Sequence, residues 1–298
     1  MSPFLPPLLL LLQAVISVHT DVVAVPVTVT DARGQLVSGL RPEHFRVFDE
    51  GRERPIAVFH QGDAPITLGL IVDRSQSMRP KARVLMDVLS GVLQSSRPDD
   101  ELFAVAFNDN VSLALGDGRP FTSDPAELAT AMAGTRAEGR TALYDGLAEG
   151  FRHLVTGHTG RLALIVVSDG GDNASRHTYA QVLEMARRSG AVIYAIGLLG
   201  TSSAEEEEDP ALLDRLSADT GGTAHFPRTA AEIAVVAAAI GRELREQYTI
   251  GFEPAPHGRG PVFRKITVRV TVPGRRGLHV RARAVYPVPG RPQDRHTP

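Results

Sequence analysis

Residues 66–72 read Ile-Thr-Leu-Gly-Leu-Ile-Val, a continuous apolar run that stops at Asp73. A strand this uniformly apolar has both faces buried, as parallel strands do when helices cover the sheet on either side. A second such run, LALIVV at residues 162–167, stops at Ser168-Asp169. Around these two runs, helical and strand patterns alternate. Residues 79–95 place Val84, Leu85, Val88, Leu89, Val92 and Leu93 at helical spacing. Residues 102–107 read as a strand, with 111–115 as its hairpin partner. Asp124-Pro125 is a helix cap followed by proline at the first helical position, opening a helix to residue 132. Helices are expected at 141–155, 178–189, 210–218 and 230–246, and strands at 191–198 and 223–226. The pattern predicts an α/β fold over residues 65–246, doubly wound, with a mostly parallel central sheet and helices on both faces.

The flanks follow another rule. Residues 21–30 read DVVAVPVTVT, alternating at period two over the second half, as a half-buried strand does. Shorter strands are expected at 45–48 and 56–59, and a Gly-Asp-Ala-Pro breaker closes this amino-terminal arm of residues 21–62. After residue 247, strands are expected at 248–252, 263–272 and 278–285, the last two joined through Pro273-Gly274. Neither arm, 21–62 or 247–286, is long enough to bury a core alone. An inserted domain also needs its two ends to meet. The arms are therefore expected to pair into one small β-sandwich, followed by a polar tail at 287–298.

The first twenty residues contain no Asp, Glu, Lys or Arg, and residues 8–18 are apolar apart from Gln13 and Ser17. As a helix this run spans about 16 Å, short of the ~30 Å hydrocarbon core of a bilayer. Residues 1–20 are read as a signal peptide, although a basic leading region and a clean cleavage site are missing. The expected location is the periplasm, the cell envelope or the medium. No other segment is long and apolar enough to span a membrane.

Composition removes several functions. The 298 residues contain no Cys, which excludes disulfides, Cys-ligated metals and a Cys nucleophile. The net charge of −2 argues against a nucleic-acid partner. The charge is uneven: ten basic residues against two acidic ones from Gln247 onward give +8, leaving −10 for the rest. The basic arm is expected to carry a solvated arginine face, with contact to an anionic surface as the alternative. The ten His are scattered, with no H-E-x-x-H pair, and there is neither G-x-S-x-G nor a P-loop motif. No nucleophile–base pair is readable, and the chain is not expected to be an enzyme.

The informative constellation lies where the apolar runs end. In an open α/β sheet, ligands bind beyond the carboxyl ends of the strands. Asp73, Ser75 and Ser77 form D-x-S-x-S there, with oxygens that can converge through a turn. Oxygen donors suit Mg²⁺, Mn²⁺ or Ca²⁺ rather than zinc or copper. Asp169 ends the second run, and Gly139-Arg140-Thr141 places a threonine at a helix start between them. With their flanks, GLIVDRSQSM, EGRTALYDGL and LIVVSDGGDN, these motifs resemble those of the von Willebrand factor type A domain over residues 65–246. The arms resemble those of a group of exported bacterial proteins built on that domain.

The resemblance implies a metal-ion-dependent adhesion site made of Asp73, Ser75, Ser77, Thr141 and Asp169. Asp73 would act partly through water, and one coordination position would stay open for a partner's Asp or Glu carboxylate. The implied function is divalent-cation-dependent protein binding, with Mg²⁺ expected. An assembly or chaperone-type subunit of a larger metal- or nucleotide-dependent complex is the alternative. Asp172 and Asn173 are expected to cap a turn, and Asp145, one helical turn beyond Thr141, to be an outer-shell or solvent-facing group. The acidic run Glu205-Glu206-Glu207-Glu208-Asp209 falls on the same sheet edge as the site. It is expected to be solvated, or else to offer an internal carboxylate that competes for the open position.

Overall fold

The computed structural model describes residues 22–62, 64–116, 118–200, 208–256 and 262–288. The expected signal peptide lies outside these residues, as do Glu205–Glu207 and nearly all of the polar tail. The described elements run β1 (Val23–Thr30), β2 (Phe45–Asp49), β3 (Arg52–Arg54), β4 (Ile56–Gln61), β5 (Ile66–Asp73), α1 (Ala82–Leu93), β6 (Glu101–Phe107), β7 (Val111–Leu113), α2 (Pro125–Ala133) and α3 (Leu143–Leu154). They continue β8 (Arg161–Ser168), α4 (Tyr179–Ser189), β9 (Val192–Gly197), α5 (Pro210–Thr220), β10 (Ala224–His225), α6 (Ala230–Glu246), β11 (Tyr248–Phe252), β12 (Phe263–Val270), β13 (His279–Ala282) and β14 (Val285–Pro287).

The central sheet has the order β10-β9-β8-β5-β6-β7, parallel except for the β7 hairpin edge. All eight residues of β5 are buried. Its even-numbered apolar residues, Ile66, Leu68, Leu70 and Val72, pack in one core with α1 and α6. Ile71 joins a second core on the opposite face with α3, α4 and α5. From β5 the chain goes first to β6 on one side, then crosses to β8 on the other. The gap between the carboxyl ends of β5 and β8 is therefore the topological switch point, where an open α/β sheet leaves a crevice.

The arms form two antiparallel four-stranded sheets, β13-β1-β11-β4 and β14-β12-β2-β3, which enclose a third core. Strand β1 of the amino-terminal arm lies between β11 and β13 of the carboxyl-terminal arm. Its inward Val25, Val27 and Val29 meet Phe45 and Val47 of β2 and Ile250 of β11. The outer face of this sheet rests on the amino-terminal edge of the central sheet. There Ala24, Pro26 and Thr249 share the lining of a cavity of about 160 Å³ with Ile66, Leu162 and Gly190. The sandwich thus sits opposite the switch point.

Three expectations are corrected. The strand expected at 278–285 is broken: β13 pairs with β1 in one sheet and β14 with β12 in the other. Arg283, at the break, turns inward to the carbonyls of Val285 and Arg187, and burial lowers its pKa to about 10. The helix expected from residue 79 begins as a 3-10 turn, Gln76–Lys81, because Pro80 has no amide to give. The basic arm is not a uniformly solvated arginine face. Arg264 pairs at 2.8 Å with the buried Asp49, and Arg281 with Glu243. Among the described arginines of the arm, Arg269, Arg275 and Arg276 remain exposed.

Glu243, on the last turn of α6, ties the two bodies together. One of its oxygens accepts from Tyr194 Oη at 2.8 Å (β9) and Thr28 Oγ1 at 2.9 Å (β1), as well as from Arg281 of β13. Glu243→Ala leaves a fully buried tyrosine hydroxyl and an arginine without their acceptor. A loss of about 3 kcal/mol is expected in urea unfolding. Glu184→Ala breaks only the exposed helical pair with Arg188 and should cost less than about 1 kcal/mol.

Candidate functional site

Three loops meet at the switch point, and backbone bonds hold them together. The loop after β5 is tied to β6 by the Arg74 amide on Phe107 O at 2.7 Å. It is tied to the loop before α3 by Gln76 N on Gly139 O at 3.0 Å and Glu138 N on Arg74 O at 2.9 Å. The loop after β8 is joined to Thr141: its amide donates to Asn173 Oδ1 at 2.9 Å, and its carbonyl accepts from the Asn173 and Ala174 amides. Thr141 is buried just ahead of α3 rather than in its first turn.

Asp73 is the deepest group. It is fully buried, and it accepts from the Ser75 amide at 2.8 Å and the Ser168 hydroxyl at 2.7 Å. Among the described residues no basic side chain pairs with it. Burial pushes its pKa up to about 6, against the bonds from Ser75 and Ser168 that favour the carboxylate. A chain of hydroxyls leads outward: Ser75 Oγ lies 3.0 Å from Ser77 Oγ, which donates to Asp169 Oδ2 at 2.6 Å. The Ser77–Asp169 bond joins the ends of β5 and β8. Asp73, Ser75, Ser77 and Asp169 thus form one connected cluster, and the backbone of Thr141 is held against the Asp169 loop.

The donor chemistry fits a hard divalent cation. Carboxylate and hydroxyl oxygens are present without sulfur or imidazole. Among the described residues no group of three or more His, Asp and Glu side chains could hold a metal ion. A divalent ion here must therefore draw on hydroxyls as well as the two aspartates. The two carboxylates would match the charge of such an ion, and the neutral hydroxyl oxygens would fill further positions without adding charge.

Residues outside the motif position this cluster, and among them the sequence marked Asp172 and Asn173 as turn caps. Ser168 holds Asp73 from β8, and only its place beside Asp169 hinted at a role. Asp172 Oδ1 accepts from the Tyr144 amide at 3.2 Å and Ser175 Oγ at 2.5 Å, capping the first turn of α3. Asp145 is neither solvated nor turned to the cluster. It accepts from the His177 ring at 2.6 Å and from the Arg176 and His177 amides. Burial raises its pKa, but these bonds outweigh that and hold it below the usual carboxylate range. Lys81, one of only two lysines, brings its ammonium to 3.6 Å from Asp169 Oδ2. Its spacing of one helical turn from Ser77 was the available signal.

The chain belongs to the von Willebrand factor type A domain family, whose model matches residues 68–237. No curated protein matches it. Among solved structures, the von Willebrand factor type A protein of Catenulispora acidiphila superposes with a TM-score of 0.52 at 14% identity, covering 90% of this chain and 73% of that one. Proximal thread matrix protein 1 from the mussel byssus gives 0.51 at 18% identity, over 66% of this chain and 50% of that one. At these identities the likeness is one of fold. Family and fold together support an interaction module. Among the described residues no helix is long and apolar enough to cross a membrane.

Gly170 shows how closely the Asp169 loop is fitted. Its φ is +91°, and a Cβ there would lie 2.3 Å from the Asp209 carbonyl oxygen at the start of α5. Gly170→Ala should cost roughly 1–3 kcal/mol in denaturant unfolding, because both the left-handed backbone and a backbone contact are violated. Gly134→Ala, with φ at −72° and the nearest atom 3.6 Å away, should stay within about 0.5 kcal/mol of wild type.

Proposed function

We propose that this chain is an exported, divalent-cation-dependent protein-binding module. Asp73, Ser75, Ser77, Thr141 and Asp169 would hold Mg²⁺, with Mn²⁺ or Ca²⁺ as substitutes. The partner presents an Asp or Glu carboxylate to the same face. One observation carries the reading: a fully buried aspartate, with no basic partner among the described residues, lies beneath serine hydroxyls and a second aspartate, at the mouth of the switch point. A buried carboxylate without a counter-charge is costly, and a bound cation removes that cost. The cation would supply the electrophilic centre. The protein's part is to hold the oxygens in place, which the cross-bonds between the three loops accomplish before any ligand arrives.

The apolar run at residues 8–18 supports export. The sandwich lies at the opposite edge of the sheet from the site. Among the described residues, contact with an anionic surface would fall to Arg269, Arg275 and Arg276 on the far body.

Calorimetric titration with Mg²⁺ and Mn²⁺ tests the proposal. Wild type should take up about one ion and gain thermal stability with metal concentration, as a ligand bound only by the native state requires. Asp73→Ala should lose both effects while still unfolding cooperatively. Equal metal affinity in wild type and Asp73→Ala would refute the assignment.

A further inference from the structure

The flank of the site beyond Lys81 has a chemistry of its own. The Lys81 ammonium lies 3.6 Å from Asp169 and 3.4 Å from Glu208 Oε1, and the lysine and Glu208 side chains are only 12% and 18% exposed. The Glu208 carboxylate also takes the Gly200 amide, just past the end of β9. Lys81, Gly200 and Glu208 line one end of a cavity of about 550 Å³. Val84, Leu198, Phe226 and Ile233 line the rest, between α1, β9 and the start of α6. The exposed Arg228 stands in the same lining.

We propose that this cavity is a second binding subsite, continuous with Asp169. Its ligand is an acidic protein segment with a bulky apolar side chain beside the carboxylate, and Glu208 holds the place of that carboxylate. The subsite rests on the proposed partner-binding role of the Asp169 face, but its own anchor is Lys81, so it can be tested without metal. The chain itself shows that an ammonium and a backbone N–H here donate to a carboxylate. Charge favours exchange over addition. Among the described residues, the buried and half-buried groups Asp73, Asp169 and Glu208 against Lys81 sum to −2, the exposed Arg228 left aside, and a divalent cation would bring that to zero. A partner carboxylate that replaces Glu208 preserves that balance, whereas one added beside it leaves an excess negative charge in a poorly solvated cleft. The apolar wall then distinguishes ligands. Covering a phenyl or leucyl side chain should tighten binding roughly tenfold to a hundredfold over a bare carboxylate. Glu208 reduces the apparent affinity by the fraction of time it occupies Lys81.

The test uses the full chain with acetate, 3-phenylpropionate and 3-phenylpropanamide, first in EDTA and then in Mg²⁺. Binding is read from the Gly200 and Lys81 amide signals in NMR titrations. Wild type should bind 3-phenylpropionate at least tenfold tighter than acetate, and the neutral amide far more weakly than the acid. Glu208→Gln, alone and with Glu205, Glu206 and Glu207 also changed to Gln, should tighten 3-phenylpropionate severalfold. That gain should persist at high salt, because the displaced contact is buried. Screened repulsion from a surface loop would fade instead. Lys81→Met should remove the preference for the acid. Equal binding of acid and amide, or of acetate and 3-phenylpropionate, overturns the subsite from wild-type data alone, whether or not Lys81→Met folds. A gain that vanishes at high salt also overturns it. Calorimetric Mg²⁺ affinity of the same samples separates this outcome from failure of the metal site.

Discussion

The carboxylate of Asp73 is taken out of water at the end of the central strand, and much of the functional face is organised around that burial. β5 can be apolar on both faces only because helices cover both. Its last residue therefore ends in a layer that water does not reach. Ser168 on the neighbouring strand and the Ser75 amide satisfy the carboxylate, so the end of β8 and the turn after β5 are held in a fixed relation. The Ser77–Asp169 bond repeats this link nearer the surface. The site is thus a junction between adjacent parallel strands whose connections leave in opposite directions.

The loops around this junction are rigid through polar contacts rather than apolar ones. Asn173 holds both sides of Thr141, Asp172 caps α3, and the Asp145–His177 pair pins the rest of the loop after β8 to the same helix. These groups touch one another before they touch any ligand. Such an arrangement suits a recognition surface, since little ordering remains to be done on binding. The lysine-glutamate pair at its flank follows the same rule: Lys81 pairs with Asp169 on one side and Glu208 on the other.

The second body solves a different problem. A strand from residues 23–30 and strands from beyond residue 247 are held side by side because the inserted domain begins and ends near one edge of its sheet. Glu243 sits at that edge and takes donors from β1, β9 and β13. The sandwich is therefore built on the inserted domain rather than merely tethered to it, and it lies at the edge away from Asp73 and Asp169.

The sequence by itself determined the fold class and the position of the acidic strand ends. Uniform apolar runs, helical spacing and strand alternation are local signals, and the backbone obeys them wherever tertiary packing agrees. It also carried the five-residue motif, because D-x-S-x-S and the residues after β8 are short and contiguous. Tertiary structure alone decided the rest. Residues 278–285 alternate as one strand, yet Arg283 is drawn to the Arg187 carbonyl, and the chain changes sheets at that point. Arg264 and Arg281 read as solvated charge until Asp49 and Glu243 are seen opposite them. Ser168, Asn173 and Lys81 acquire their roles from neighbours that lie far away in the chain. Charge pairing and hydrogen bonding across separate segments leave no periodicity behind, so only the folded arrangement reveals them.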